Sequence, residues 1–503
     1  HCRELTAGSS HCRDAMNQAS SVQLLRDIAR QAMLARGLEP DFPAPVANEI
    51  QRLDSAAVHD AGKLQDLSAL PWLSIDNDDS RDLDQLSVAE PLEAERVRVR
   101  VAVADVDVLV HPGDAIDQHA STNTTSVYIV AQIFPMLPTR LSTDLTSLGQ
   151  DQTRAALIID MTIDGAGALL DSDVYRASVV NHAKLAYGEV AAWLAGSAPA
   201  PAAVATSNAL QDQLRLQQQV AARLHDVRYR HGALSLASIE PRAVFEADRL
   251  RDLLPDTQNA AQALIEDLMI AANGVTARFL SARGLPSLRR VLRTPQHWDR
   301  LRVLALRAGD TLPPDPSAVA LNGFLMRRRA ANPQAFADLS LAVIKLLGRG
   351  EYVLELPGAP VSGHFGLAVQ DYTHATAPNR RYPDLITQRL LKAALSGQRA
   401  PYDAAALTTL AAHCTAQEDN AAKVERRVRK SAAALLLSDR LGQRFDAIVT
   451  GAADKGTWVR ISSPIAEGLL TRGYEGLGVG DRVPVVLVHT DVQRGLIDFE
   501  RAH

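Results

Sequence analysis

Cysteine is nearly absent, with three residues in 503 (Cys2, Cys12 and Cys414). So few thiols cannot cross-link a chain of this length, which excludes a disulfide-framed secreted scaffold and fits a reducing compartment. Positive charge is not in excess either. Lys plus Arg total 53 against 58 Asp plus Glu, a formal net charge of −5. That excludes a uniformly basic, histone-like binder of nucleic acid, but not a local basic channel, because net charge averages over patches. Aromatic residues make up 4%, so any stacking platform rests on a few rings. No apolar run reaches the roughly 20 residues that span a bilayer, and no signal-peptide core follows a basic start. A soluble, cytoplasmic protein is therefore expected. What is present, 47% hydrophobic and 22% charged residues, is the balance of a globular chain with a large core, and the length calls for two or three domains. His1, Cys2, His11 and Cys12 bunch at the start without a standard zinc-finger spacing, and the first residue is not Met; a processing remnant is expected there.

Residues 20–37 (SSVQLLRDIARQAMLARG) have helical periodicity, with Ser20 or Ser21 to cap the start and Gly37 to stop it. A Pro-rich connector from Glu39 to Pro45 leads into a second short helix around Val46 to Leu53. Residues 1–70 are thus expected to form a small helical module, compatible with a helix-turn-helix and a candidate contact for nucleic acid or protein. From Leu73 the pattern changes. Val97 to Val110 (VRVRVAVADVDVLV) alternates with period two and predicts a strand or bent strand pair, and Ala156 to Ile163 and Ala233 to Phe245 look similar. Gly196 to Thr206 (GSAPAPAAVAT) predicts a surface loop between helices. Asn259 to Arg283, Ala335 to Gly348, Asp384 to Leu395 and Ala404 to Arg440 carry helical periodicity. Arg444 to Glu500 returns to short Val-rich segments punctuated by Gly, which predicts a small β-barrel, with Trp458 in its core or, as the alternative, presenting its ring outward.

The densest chemistry lies in Ser74 to Leu86, SIDNDDSRDLDQL, where Asp76, Asp78, Asp79, Asp82 and Asp84 crowd together. Like charges so close repel unless a cation binds among them, and a hard divalent ion such as Mg²⁺ suits oxygen ligands. A calcium loop starting at Asp76 would need Gly at Arg81 and Glu at Ser87, and has neither. Taken alone, the run is equally well a solvated acidic loop.

Its context decides. Val103-Ala104-Asp105-Val106 leads to His111-Pro112-Gly113, then to Asn123–Leu137 (NTTSVYIVAQIFPML) with Pro138 and Leu141-Ser142, and much later to Gly363–Arg389 (GHFGLAVQDYTHATAPNRRYPDLITQR). This order resembles the catalytic RNB domain of the ribonuclease II / ribonuclease R family, whose landmarks are SID with DxD six residues on, PMLP, and HFGL…Y.H.T.P.RRYPDL. The resemblance implies a mixed α/β (α+β) RNB-type catalytic domain over residues 71–440, with sheets and helices enclosing an RNA channel. A C-terminal OB-fold that binds RNA is implied over 441–503. It also implies a processive 3′→5′ exoribonuclease, acting as a monomer on the 3′ end of single-stranded RNA and releasing 5′-mononucleotides. Mg²⁺ is the implied metal, with Mn²⁺ as the alternative ion.

Carried over residue by residue, Asp76 and Asp82 match metal-site carboxylates, and Asp84 the carboxylate on which cleavage depends most. Arg380 matches the arginine on the scissile phosphate, Glu266 and Glu425 match glutamates near the RNA end, and Tyr128 matches the ring that stacks on the terminal base. Arg381, His364 and Tyr372 fall in the same motif and are expected to contact RNA. The basic runs Arg327-Arg328-Arg329, Arg380-Arg381 and Lys423 to Lys430 suit a phosphate backbone.

Three departures stand out. Gln85 replaces the Asp that usually follows the key carboxylate; its amide oxygen can still ligate a metal but brings no charge. Leu236 stands where a second stacking ring is usual. The tandem cold-shock domains that precede the family's catalytic domain have no counterpart before Asp76. Gln85 and Leu236 keep an alternative open, a catalytically weak RNB-fold protein that binds RNA.

Overall fold

The site is carried by a seven-stranded sheet whose strands are β1 (Gln65–Asp66), β2 (Leu73–Asp76), β3 (Gln85–Pro91), β4 (Val97–Ala104), β7 (Thr153–Ile163), β8 (Leu169–Val180) and β9 (Ala183–Ala186). The order is β1-β8-β7-β4-β3-β2-β9, antiparallel except for the β1/β8 and β2/β9 pairs. The small hairpin β5 (Val127–Ile129) and β6 (Gln132–Phe134) lies outside it. These features come from a computed structural model that describes residues 20–53, 64–237, 240–360, 362–453 and 456–502. The His/Cys bunch at residues 1–12 lies outside the described residues.

Central β4 is buried along nearly its whole length, including most of the positions between its valines. Its two arginines are accommodated by Asp160 of β7, which accepts from Arg98 Nη2 (2.7 Å), Arg100 Nε (3.2 Å) and the Tyr175 hydroxyl (2.8 Å). The expected strand through Val110 stops at Ala104 because Asp105 leaves the ladder. Its carboxylate pairs with Arg176 and Lys392, and a 3₁₀ turn, Val106–Val108, follows. Ala233 to Ala237 form no strand either. They cross a separate helical core built from Trp298–Arg307, Ala318–Ala331 and Phe336–Leu347, and only β10 (Glu240–Glu246) pairs, with β11 (Arg249–Asp256). A further hairpin joins β12 (Ser287–Val291) to β13 (Glu351–Glu355).

Two helices form near the N-terminus, as expected. Ser20 caps Ser21–Leu34 by accepting from Gln23 N–H, and Pro43 precedes Ala44–Arg52. They serve different cores. The first buries Leu25, Ile28 and Met33 with the long helix Ala404–Leu437 and the C-terminal barrel, whereas the second inserts Val46 into the main core.

The barrel is closed, with β14 (Arg444–Ala453), β15 (Gly456–Ser462), β16 (Ile465–Arg472), β18 (Leu496–Arg501) and β17 (Arg482–Asp491) in that order round it. Gly468 is required where β16 meets β18: a Cβ there would lie 2.6 Å from both Ile497 O and the Phe499 ring. Trp458 is not in the barrel core. Strand β15 alternates Thr457, Val459 and Ile461 inward, so Trp458 faces out and is only half-buried. Among the described residues no helix is long and apolar enough to cross a membrane.

Candidate catalytic site

Asp76 ends β2 and folds the acidic loop that follows, since its Oδ1 accepts from Asn77 N–H (2.8 Å) and the Ser80 hydroxyl (3.0 Å). Asp78 and Asp79 stay exposed on that loop. The return leg is pinned, with Leu83 N–H donating to Ser147 Oγ (3.1 Å) and Leu148 N–H to Leu83 O (2.9 Å). Asp84 is thereby carried inside at 2% exposure, and Gln85 opens β3 half-buried beside it.

Asp84 Oδ1 accepts from Asn379 N–H (2.9 Å), and Arg380 Nε lies 3.4 Å from Oδ2. Burial pushes the Asp84 carboxyl up to about 7, against the pull of Arg380 and Asn379 N–H and with a further push from Asp82 and Asp384. Asp82 is also raised, by burial and by Asp76. Three carboxylates therefore repel one another around one guanidinium.

Arg380 reaches this place through a backbone seam. Ser126 N–H donates to Arg380 O (3.0 Å), and Tyr382 N–H donates to Thr124 O (2.7 Å). The seam brings Tyr128, on β5, alongside. Burial pushes the Tyr128 hydroxyl up to about 12, with Arg380 pulling the other way, while the residue as a whole stays 40% exposed. Glu425, from the long helix Ala404–Leu437, accepts from Tyr128 N–H at 2.8 Å. Arg381 turns instead to Asp384 (Nη2 to Oδ1, 2.8 Å). Beyond it runs a row of rings in edge contact, His364–Tyr372–His374–Tyr352, with centroids 5.6, 5.6 and 5.5 Å apart. Tyr352 Oη lies 2.8 Å from His374 Nδ1, and Arg290 caps the Tyr352 ring at 4.8 Å.

The structure thus brings together Asp76, Asp82, Asp84, Arg380, Tyr128 and Glu425, with Gln85 and Arg381 adjoining and His364 and Tyr372 in the ring row. Two expected residues are placed otherwise. Glu266 is exposed on Ala260–Ala282, where it accepts from Gln258 and faces Tyr229. Leu236 packs onto the helical core together with Phe365. Sequence reasoning missed Tyr187, Asn379, His374 and Tyr352. The parallel register pairs Asp76 with Ala186, so Tyr187 follows directly beside the acidic cluster, and burial together with Asp76 pushes its hydroxyl up.

Among the described residues no three Asp, Glu, His or Cys side chains close into a ready-made metal ligand set. The donor chemistry nevertheless fits a hard divalent cation. Asp76, Asp82 and Asp84 offer only carboxylate oxygens, and Asp84 Oδ2 is buried without a hydrogen bond.

The ring row predicts an acid limit to stability. Burial first, then Arg290, lowers His364 from 6.5 to about 4. Between those values the unfolded chain binds a proton that the folded chain refuses, so stability falls as pH drops from about 6.5 toward 4. In a thermal-unfolding pH series, His364→Asn should lose less than wild type over that window, by about 2–3 kcal/mol. Asn keeps an acceptor for Leu367 N–H, which His364 Nδ1 now receives at 3.2 Å. Parallel curves would remove His364 from the effect.

Comparison with known proteins agrees with this architecture. The RNB domain model matches residues 64–397, and that of the C-terminal S1 domain of RNase II-type exonucleases matches 443–502. The chain is 30% identical to ribonuclease R of Escherichia coli over 85% of its own length and 54% of that protein. It is 27% identical to ribonuclease R of Vibrio parahaemolyticus, over 92% of this chain and 59% of that one. It therefore spans less than two thirds of either relative. RNase R of Mycoplasma genitalium, solved in complex with ribose-methylated single-stranded RNA, superposes with a TM-score of 0.84 at 21% identity, covering 96% of this chain and 78% of that one.

Proposed function

The chain belongs to the RNB family, and from that membership and the carboxylate site we propose that it is a divalent-metal-dependent exoribonuclease. It shortens single-stranded RNA processively from the 3′ end and releases 5′-mononucleotides. The observation that carries this reading is Asp84, buried among like charges with one oxygen held by Asn379 N–H and the other facing Arg380.

Asp76, Asp82 and Asp84 would hold the cation, Mg²⁺ or Mn²⁺, which would supply charge neutralisation at the phosphate and lower the pKa of water. Arg380 leaves the Asp84 edge to donate to the non-bridging oxygens of the scissile phosphate, where negative charge grows during in-line attack. Tyr128 offers a ring face to the terminal base, and Glu425 fixes its backbone from the long helix. Stacking is indifferent to sequence, which suits an enzyme that digests any RNA. Arg381, Tyr372 and His364 line the approach, and the barrel extends the grip on the strand.

With a 5′-labelled oligoribonucleotide and Mg²⁺, a ladder shortening from the 3′ end and free mononucleotides are expected; internal cuts would sink the reading. A second reading, an RNA binder with little turnover, is favoured by Gln85. It predicts RNA binding without Mg²⁺-dependent mononucleotide release, and no added defect in Asp84→Asn.

Gln85 also yields a graded prediction. Gln85→Asp adds a fourth carboxylate, so the Mg²⁺ concentration for half-maximal hydrolysis should fall by about three- to tenfold, since affinity for hard cations rises with ligand charge. A Mg²⁺ titration of initial rate checks it, and an unchanged midpoint would place residue 85 outside the metal environment.

A further inference from the structure

Asn379 has no role in the scheme so far beyond its backbone, yet its side chain is buried at the centre of the site at 1% exposure. It occupies one of the two open positions in the family wording T.P.RRYPDL, directly before Arg380. Its backbone N–H donates to Asp84 Oδ1 (2.9 Å), and its Oδ1 accepts from Thr146 Oγ1 (2.6 Å). Thr146 belongs to the same pinned leg, Thr146 to Leu148, that holds the Asp82–Asp84 return. The amide is therefore wedged between that leg and the catalytic carboxylate. Its Nδ2 is buried without any hydrogen-bond partner.

That orphan is not isolated. Thr124 Oγ1 and Arg381 Nε, on the seam joining 124–126 to 380–382, are also buried without hydrogen bonds, as are Asp84 Oδ2, which faces Arg380, and Oδ2 of Asp384, which pairs with Arg381 through its other oxygen. Buried polar atoms in folded proteins are nearly always paired. A concentration of unpaired ones on and beside one seam points to a polar ligand that completes them. Two of the unpaired atoms, Asn379 Nδ2 and Arg381 Nε, are obligate donors beside the Arg380 guanidinium. The ligand they suit carries anionic oxygen acceptors, as a phosphodiester does.

We propose that the Asn379 amide is a donor to a non-bridging oxygen of the RNA phosphate held by Arg380. This rests on the reading that RNA enters the site. Thr146 turns the amide by binding its oxygen, which leaves Nδ2 for the substrate. Asn379 thus belongs to the binding machinery as a chain-specific partner of Arg380.

Asn379→Leu tests this, because it keeps the γ-branched shape while removing the donor, and the Thr146 hydroxyl, released from Asn379 Oδ1, can turn to Leu141 O at 2.9 Å. Removing an unpaired buried donor should leave the unfolding temperature unchanged or raise it. The value of kcat/KM on RNA should fall roughly ten- to a hundredfold, the range for a hydrogen bond to a charged group. The rate penalty for a phosphorothioate at the scissile linkage should shrink relative to wild type. In EDTA, where no cleavage occurs, the affinity for the same oligonucleotide should also weaken. Asn379→Ala gives the same comparison should the leucine variant not fold. A lower unfolding temperature with unchanged affinity in EDTA would make the amide a framework group and overturn the proposal, as would an undiminished phosphorothioate penalty. If wild type itself releases no mononucleotide, the hydrolytic reading fails separately, and the EDTA comparison still decides Asn379.

Discussion

Asp84→Asn is expected to abolish RNA hydrolysis, lowering kcat by about a thousandfold or more, while RNA binding is kept or tightened. The magnitude is that of losing a group proposed to serve both water activation and cation binding. Binding survives because the change removes negative charge from a site that must accept a polyanion, and because the Asn oxygen can still accept from Asn379 N–H, now 2.9 Å from Asp84 Oδ1. Stability should not suffer. The folded carboxyl titrates near 7 against 3.8 as its ordinary value. Ionisation therefore becomes more costly to the fold as pH rises from about 4 to about 7, and the cost is constant above that. Asn carries no such cost, so in metal-free buffer the variant should gain more over wild type at pH 8 than at pH 5. Mononucleotide release, fluorescence anisotropy in EDTA and unfolding temperatures at both pH values test the three parts. Residual hydrolysis within tenfold of wild type would remove Asp84 from the chemistry.

Arg380→Ala is expected to lower kcat/KM by about a hundred- to a thousandfold, the range for removing one preorganised donor from a developing oxyanion. Its affinity for a long oligonucleotide should change by far less, since the contacts proposed for Arg381, the ring row and the barrel would remain. Arg380→Lys should recover only a small part, because an ammonium cannot make the paired donation of a planar guanidinium. The substitution also strips Asp84 of its nearest cation, so the carboxyl should rise further above 7 and the rate profile on pH should move to higher pH. A pH-independent loss of equal size would assign Arg380 to phosphate binding alone.

The motifs were legible because their chemistry sits in short contiguous strings. SID…DLD and HATAPNRRYPDL locate Asp76, Asp82, Asp84 and Arg380, and all four meet in space. The long helix and the barrel were legible from periodicity. What the string hides is what topology supplies. Tyr187 joins the site only because β9 runs parallel to β2, and Asn379 is tied to Asp84 only through its backbone N–H. Leu236 stands in sequence where a second stacking ring is usual, and in space it packs onto the helical core. Trp458 was expected inside the barrel on hydrophobicity, but the alternation of β15 assigns the interior to Val459 and Ile461. The short strand at Val97 shows the same limit: composition favoured extending it, and buried Asp105, paired with Arg176 and Lys392, ended it.

The second core has a mechanical consequence. Val127, Ile129 and Phe134 of the Tyr128 hairpin are packed in the same cluster as Val449, Val459 and Phe499 of the barrel and Leu25 and Ile28 of the first helix. The ring proposed to grip the last base is thus seated on a foundation contributed by the two ends of the described chain. Loosening either end would slacken that grip, even for an RNA too short to touch the barrel.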